Sequence, residues 1–94
     1  PIYSMAKAGN AMMVKSLARE LGPEIRVNGI APGTIMWPQG EVNAIAQKEK
    51  IDRTSLKRPG DSNDIVNAVL FLIRDANYIT GQIITVDGGS TLQQ

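Results

Sequence analysis

The sequence predicts an α/β fold built on a parallel sheet, in a single domain over residues 1–94, and three observations carry that prediction. A helical stretch over residues 4–21 meets a marked stop at Gly22-Pro23 and enters an apolar run at 25–31. A second helical stretch at about 63–74 is followed by Gln82-Ile83-Ile84-Thr85-Val86, an apolar run of the kind covered on both faces in a parallel sheet. Strand, helix, strand in that order is a crossover unit, right-handed by the general rule for parallel connections.

Each element has its own justification. Residues 4–21 are helix formers with Val14, Leu17, Ala18 and Leu21 on one stripe. Met5, Met12, Met13, Ala8 and Ala11 add small and apolar surface outside it, so a second neighbour, another subunit, is expected on that side. Gly22 offers a left-handed stop and Pro23 cannot continue the helix. The run 25–31 reads as a strand that leaves through Pro32-Gly33. Residues 34–60 form a long irregular connection with one short helical candidate at 41–51, and a connection of this length is commonly a lid over a site. Asp61 or Ser62 can cap the helix at 63–74, whose run Ala68-Val69-Leu70-Phe71-Leu72-Ile73 calls for heavy burial. Asp75-Ala76-Asn77 breaks it, and Asp87-Gly88-Gly89 closes the last strand.

Composition removes several chemistries. With no cysteine and no histidine, the 94 residues hold no disulfide, thiol nucleophile, Cys/His zinc site or Ser-His-Asp relay, so proton transfer falls to Tyr, Lys, Asp or Glu. The formal charge is +1 and no basic stripe alternates with aromatics, which argues against a nucleic-acid surface. Lys48, Lys50, Arg53, Lys57 and Arg58 lie among Glu49 and Asp52 and read as a solvated face. No apolar run reaches membrane-spanning length, and a soluble, cytoplasmic chain is expected.

The chemically pointed pair is Tyr3 and Lys7. On a helix, positions i and i+4 share a face one turn apart. A phenol that ionises near about pH 10 is drawn toward the range of a general acid by a cation held close to it. The same spacing also describes a lysine stem lying beside a ring.

Taken together, Tyr3-x-x-x-Lys7, Ile25-Arg26-Val27-Asn28 leading to Pro32-Gly33, Tyr78-Ile79-Thr80-Gly81-Gln82 and Val86-Asp87-Gly88-Gly89 resemble, in order and spacing, the C-terminal portion of the short-chain dehydrogenase/reductase family. Within it, residues 32–38 and the ending 87–92 look most like pteridine reductases. The resemblance implies the C-terminal part of a Rossmann-like doubly wound parallel sheet, a fragment of one dinucleotide-binding domain. It implies NADP, with NAD possible, and hydride transfer to a pterin or dihydropterin. Tyr3 resembles the proton donor, and Lys7 the residue that tunes it and holds the nicotinamide ribose. Pro32, Gly33, Thr34 and Ile35 match the loop beside the nicotinamide, and Tyr3 and Lys7 also match cofactor contacts. Trp37 stands where many relatives have Thr, and a large ring there suits a substrate-pocket wall or the anchor of a lid. The family's Gly-rich pyrophosphate turn and its serine have no counterpart in these residues.

The resemblance also implies a homo-oligomer, a tetramer, joined through the helix at 4–21 and the C-terminal strand. Asn28 reads as structural, bonding nearby backbone, and Gly33, Gly81, Gly88 and Gly89 as turn residues of unusual φ. Two further readings stay open. One is a reductase for another carbonyl, such as a 3-oxoacyl thioester; the other is a non-catalytic module that supplies only association surfaces.

Overall fold

A computed structural model describes residues 2–33, 35 and 44–93, with side chains described for 8–33, 35 and 45–92. The order is helix α1 (Ile2–Leu21), strand β1 (Gly29–Pro32), helix α2 (Ala44–Asp52), helix α3 (Ser62–Arg74), strand β2 (Ile83–Val86) and a 3-10 turn at Ser90–Gln93. The two strands pair in parallel, from Gly29 opposite Ile83 to Pro32 opposite Val86. A parallel pair cannot be closed by a hairpin, and here α3 makes the crossover and packs on both strands.

The helix starts and stops follow local chemistry. Asp61, not Ser62, is the cap of α3: its carboxylate accepts from the Asn63 and Asp64 amides, and the Asp64 carboxylate accepts from the Asp61 amide at 2.9 Å. This reciprocal box satisfies amides that have no partner within the helix. At the end of α1, Gly22 is not left-handed: among the described glycines only Gly81, Gly88 and Gly89 have positive φ. The chain instead turns through residues 22–24, with Gly22 donating to the Ala18 carbonyl and Ile25 to that of Leu21.

Three expectations are corrected. The strand expected at 25–31 is shorter, because residues 26–28 spend their bonds on the end of α3 and on the segment between it and β2 rather than on a ladder. Val27 donates to Thr80 Oγ1 at 3.1 Å and accepts from the Gly81 amide at 2.7 Å. The apolar run in α3 is not heavily buried: Leu72 is buried, but Phe71 is 49% and Ile73 63% exposed. Two four-residue strands cover one stripe of a helix, and no described layer faces the rest of the run. For the same reason β2 alternates exposed and half-buried residues rather than being covered on both faces. Among the described residues the buried apolar side chains are only Ala18, Leu72 and Ala76. The helical candidate at 41–51 is found as α2, and a parallel bridge between Ile35 and Gly60 returns the connection to its start. No helix among the described residues is long and apolar enough to cross a membrane.

Candidate active site

Tyr3 and Lys7 lie in the first two turns of α1, on adjacent turns of one face; their side chains fall outside the described residues. The other half of α1 is fixed at the amino ends of both strands. A Cβ on Gly29 would stand 3.6 Å from Val14, one on Gly81 would stand 3.5 Å from the Ala18 methyl, and Lys15 Nζ donates to the Gly81 carbonyl at 3.3 Å. Both Cβ distances are ordinary van der Waals contact, so the helix approach does not itself require glycine; at Gly81 the positive φ of +75° does.

Pro32, Gly33 and Ile35 come together where β1 ends. Gly33 donates to the Val86 carbonyl at 2.9 Å, so the last rung of the ladder lies here. Gly33 does not have the unusual φ expected of it. It is glycine because of close approach: a Cβ would lie 2.7 Å from both Cα and Cβ of Asp87, a distance that side chains do not tolerate. Thr34 and Trp37 fall outside the described residues. Ile35 lines a cleft of about 170 Å³ together with Leu56, Arg58, Asp64, Val86 and Asp87. Its position beyond the carboxyl ends of parallel strands is where open α/β sheets hold ligands.

The polar side of this cleft was not legible in the residue pattern. Arg58, expected on a solvated face, is exposed but reaches Asp64 Oδ2 at 3.2 Å. The Asp61 amide, and next the Arg58 guanidinium, hold the Asp64 carboxyl below the ordinary carboxylate range. Asp87 is lowered likewise, first by the Gly89 amide and then by that of Thr91. The signal that could have found the first pair is the capping box, which places an acid at the third helical position six residues after Arg58. Asn28 is structural as expected: its Nδ2 donates to the Ile79 carbonyl at 2.9 Å and its Oδ1 accepts from the Gln82 amide at 3.0 Å. No cluster of metal-ligating side chains occurs among the described residues.

Comparison with known proteins extends this picture over nearly the whole chain. A family model described as enoyl-(acyl carrier protein) reductase matches residues 1–91. The chain is 48% identical over 92 residues to the 3-oxoacyl-(acyl-carrier-protein) reductase FabG of Buchnera aphidicola, covering 93% of this chain and 37% of that protein. Among solved structures, a short-chain dehydrogenase/reductase of the glucose/ribitol dehydrogenase type from Brucella melitensis matches with a TM-score of 0.84 at 37% identity, covering 94% of this chain and 37% of that one. A blue fluorescent protein from a metagenomic library, solved with NADPH, matches at 0.83 and 33% identity, over 94% of this chain and 36% of that one. A 4-hydroxyisoleucine dehydrogenase, solved with NADH, matches at 0.80 and 35% identity, over 96% and 38%. The chain thus spans little more than a third of the length of these proteins. With its sequence motifs, its crossover, the family model and the solved structures it matches in agreement, the chain belongs to the short-chain dehydrogenase/reductase family.

Proposed function

We propose that these residues form the proton-donating end of the active site of a nicotinamide-dependent carbonyl reductase. The observation that carries the reading is the cleft at the carboxyl ends of β1 and β2, bounded by Ile35 on one side and by charged Arg58, Asp64 and Asp87 on another. An apolar wall beside a polar rim suits one edge of a nicotinamide, and about 170 Å³ is room for an edge and not for a dinucleotide. When bound, a nicotinamide supplies the hydride. Structural neighbours with NADPH and with NADH support either form of the cofactor, and NADP follows from the family resemblance.

Tyr3 donates its hydroxyl proton to the substrate oxygen as the carbon is reduced, while the Lys7 ammonium lowers the cost of the phenolate left behind. Both residues also hold the cofactor ribose, with Pro32, Gly33, Thr34 and Ile35 along the nicotinamide. Helix arithmetic supports the grouping. Tyr3 precedes Val14 by about 16 Å of helix axis, and Gly33 follows Gly29 by about 13 Å of strand. With Val14 at Gly29, a helix running back along the sheet brings Tyr3 level with the end of β1.

For the substrate, the 3-oxoacyl thioester reading draws support from the FabG relative, and the pterin reading from residues 32–38, with Trp37 as pocket wall. The exposed Met12 and Met13 on α1 support association through that helix into a homotetramer. The experiment is oxidation of NADPH and NADH by the complete protein with biopterin, folate, a 3-oxoacyl thioester and an aliphatic ketone. Tyr3→Phe is expected to lose at least about a hundredfold in rate with cofactor affinity kept, the size of general acid catalysis; Lys7→Ala should weaken cofactor binding as well. A Tyr3→Phe rate within about tenfold of wild type removes Tyr3 as donor. Absence of turnover with all four substrates would favour the association module.

A further inference from the structure

We infer that Asp87 is a positioning residue: its carboxylate closes the turn after β2 into a post on which both ends of the 34–60 connection rest. The inference deepens the reading of residues 32–35 as cofactor contacts and rests on it. Asp87 accepts three hydrogen bonds, from the Gly89 amide at 2.9 Å, the Ser90 hydroxyl at 3.1 Å and the Thr91 amide at 3.1 Å. These bonds hold Gly88 and Gly89 at φ of +62° and +88°, a backbone path that only glycine follows without strain. An aspartate is ionised at neutral pH in any case, and the same amides hold its carboxyl below the ordinary carboxylate range, so these bonds persist to more acid pH.

One end of the connection meets the post at Gly33, whose missing Cβ would stand 2.7 Å from Asp87 Cα and Cβ. The other end meets it at residues 54–56. Leu56 donates to the Gly88 carbonyl at 3.0 Å, a Cβ on Gly89 would stand 2.8 Å from Ser55 Cβ and Oγ, and one on Gly88 would stand 3.6 Å from the buried Thr54. These are steric and main-chain contacts, so the two ends cannot shift independently of the turn. Loosening Asp87 therefore displaces Gly33 and the 54–56 segment together, and with them the residues assigned to the nicotinamide.

The test uses the complete protein carrying Asp87→Asn or Ser90→Ala, with amide hydrogen exchange along the chain and steady-state kinetics at varied NADPH and NADH. Asparagine keeps one oxygen acceptor but replaces the other with a donor aimed at donors. The expected result is faster exchange across 32–35 and 53–60, and a Michaelis constant for the cofactor raised about tenfold, the size of one charge-assisted hydrogen bond. For Ser90→Ala, a residue that does not line the cleft, kcat at saturating cofactor should stay within about twofold, because binding and not chemistry is disturbed. Ser90→Ala, which removes one bond of the three, should show the same pattern at smaller size, and it decides the matter if Asp87→Asn does not fold. Faster exchange confined to 86–91, or a fall in kcat with an unchanged Michaelis constant, overturns the inference. If the wild type turns over neither nicotinamide, the functional reading fails, while the exchange pattern still decides whether Asp87 holds the connection.

Discussion

Replacing Arg26 with alanine should cost the complete protein about 2–4 kcal/mol of stability, more than most single substitutions cost. The guanidinium enters the end of α3 from the segment before β1. Its Nη1 donates to the Leu72 carbonyl at 2.8 Å and the Ala76 carbonyl at 2.9 Å, and more weakly to Ile79 at 3.4 Å, while Nη2 reaches Ile73 at 3.3 Å. The Leu72 and Ile73 carbonyls are among the last of the helix and have no partner within it. A bond to a charged donor contributes about 1.5–3 kcal/mol, and a cation at a helix C-terminus adds about 0.3–1 kcal/mol. Only the two short bonds approach full strength, and water can replace part of what is lost, which yields the range stated. Urea unfolding at neutral pH measures it as a lower midpoint at unchanged slope. Arg26→Lys should recover less than half, because an ammonium cannot span carbonyls on both sides of the helix end as a planar fork does. A loss below about 0.5 kcal/mol for alanine, typical of an ordinary surface change, would refute the clamp; so would full recovery by lysine.

Asp61→Ala should cost about 1 kcal/mol, as for other helix caps, read by the same unfolding curves. Because Asp64 has its carboxyl lowered in the fold, its contribution is present above the ordinary value of 3.8 and is lost as pH falls through the folded value; the stability gap between wild type and Asp64→Asn should therefore close at acid pH, and a constant gap would contradict the assignment. The 94 residues by themselves should show no cooperative, concentration-independent thermal transition, since Val66, Phe71 and Ile73 stay exposed on α3 and a two-stranded sheet cannot support itself. Trp37→Ala should raise the Michaelis constant for a pterin more than it changes cofactor binding, and equal losses on biopterin and on an aliphatic ketone would exclude the pocket-wall role.

Patterns that depend on neighbours in sequence were the legible ones. The helix at 63–74 was readable from its acid cap and apolar period, and β2 from its apolar run before Asp87-Gly88-Gly89. Tyr3 and Lys7 were readable as a pair because their relation is one helical turn. What stayed hidden depends on residues far apart. Ile25 to Asn28 has the composition of a strand, yet Arg26, Val27 and Asn28 bond residues 72–82, and nothing local to them announces that. Gly33 looked like a turn glycine, whereas its need arises from Asp87, which follows the other strand. The run 68–73 has the composition of a buried stretch, yet Phe71 and Ile73 are exposed, because the described elements supply only one layer against it.

The bonds that join Arg26 and Asn28 to the far side of α3 span sequence separations of 46 to 54 residues. Closing a flexible loop of that length has an entropic cost of about 3.5 kcal/mol, and none of these contacts contributes until the whole loop is shut. Helices α1 and α3 can begin on local bonds, while the parallel ladder must wait for the ends to meet. Arg26 holds main-chain groups at and after the end of α3, and Asn28 holds those just ahead of β2, so the same bonds that close the loop also fix the register in which Gly29 stands opposite Ile83.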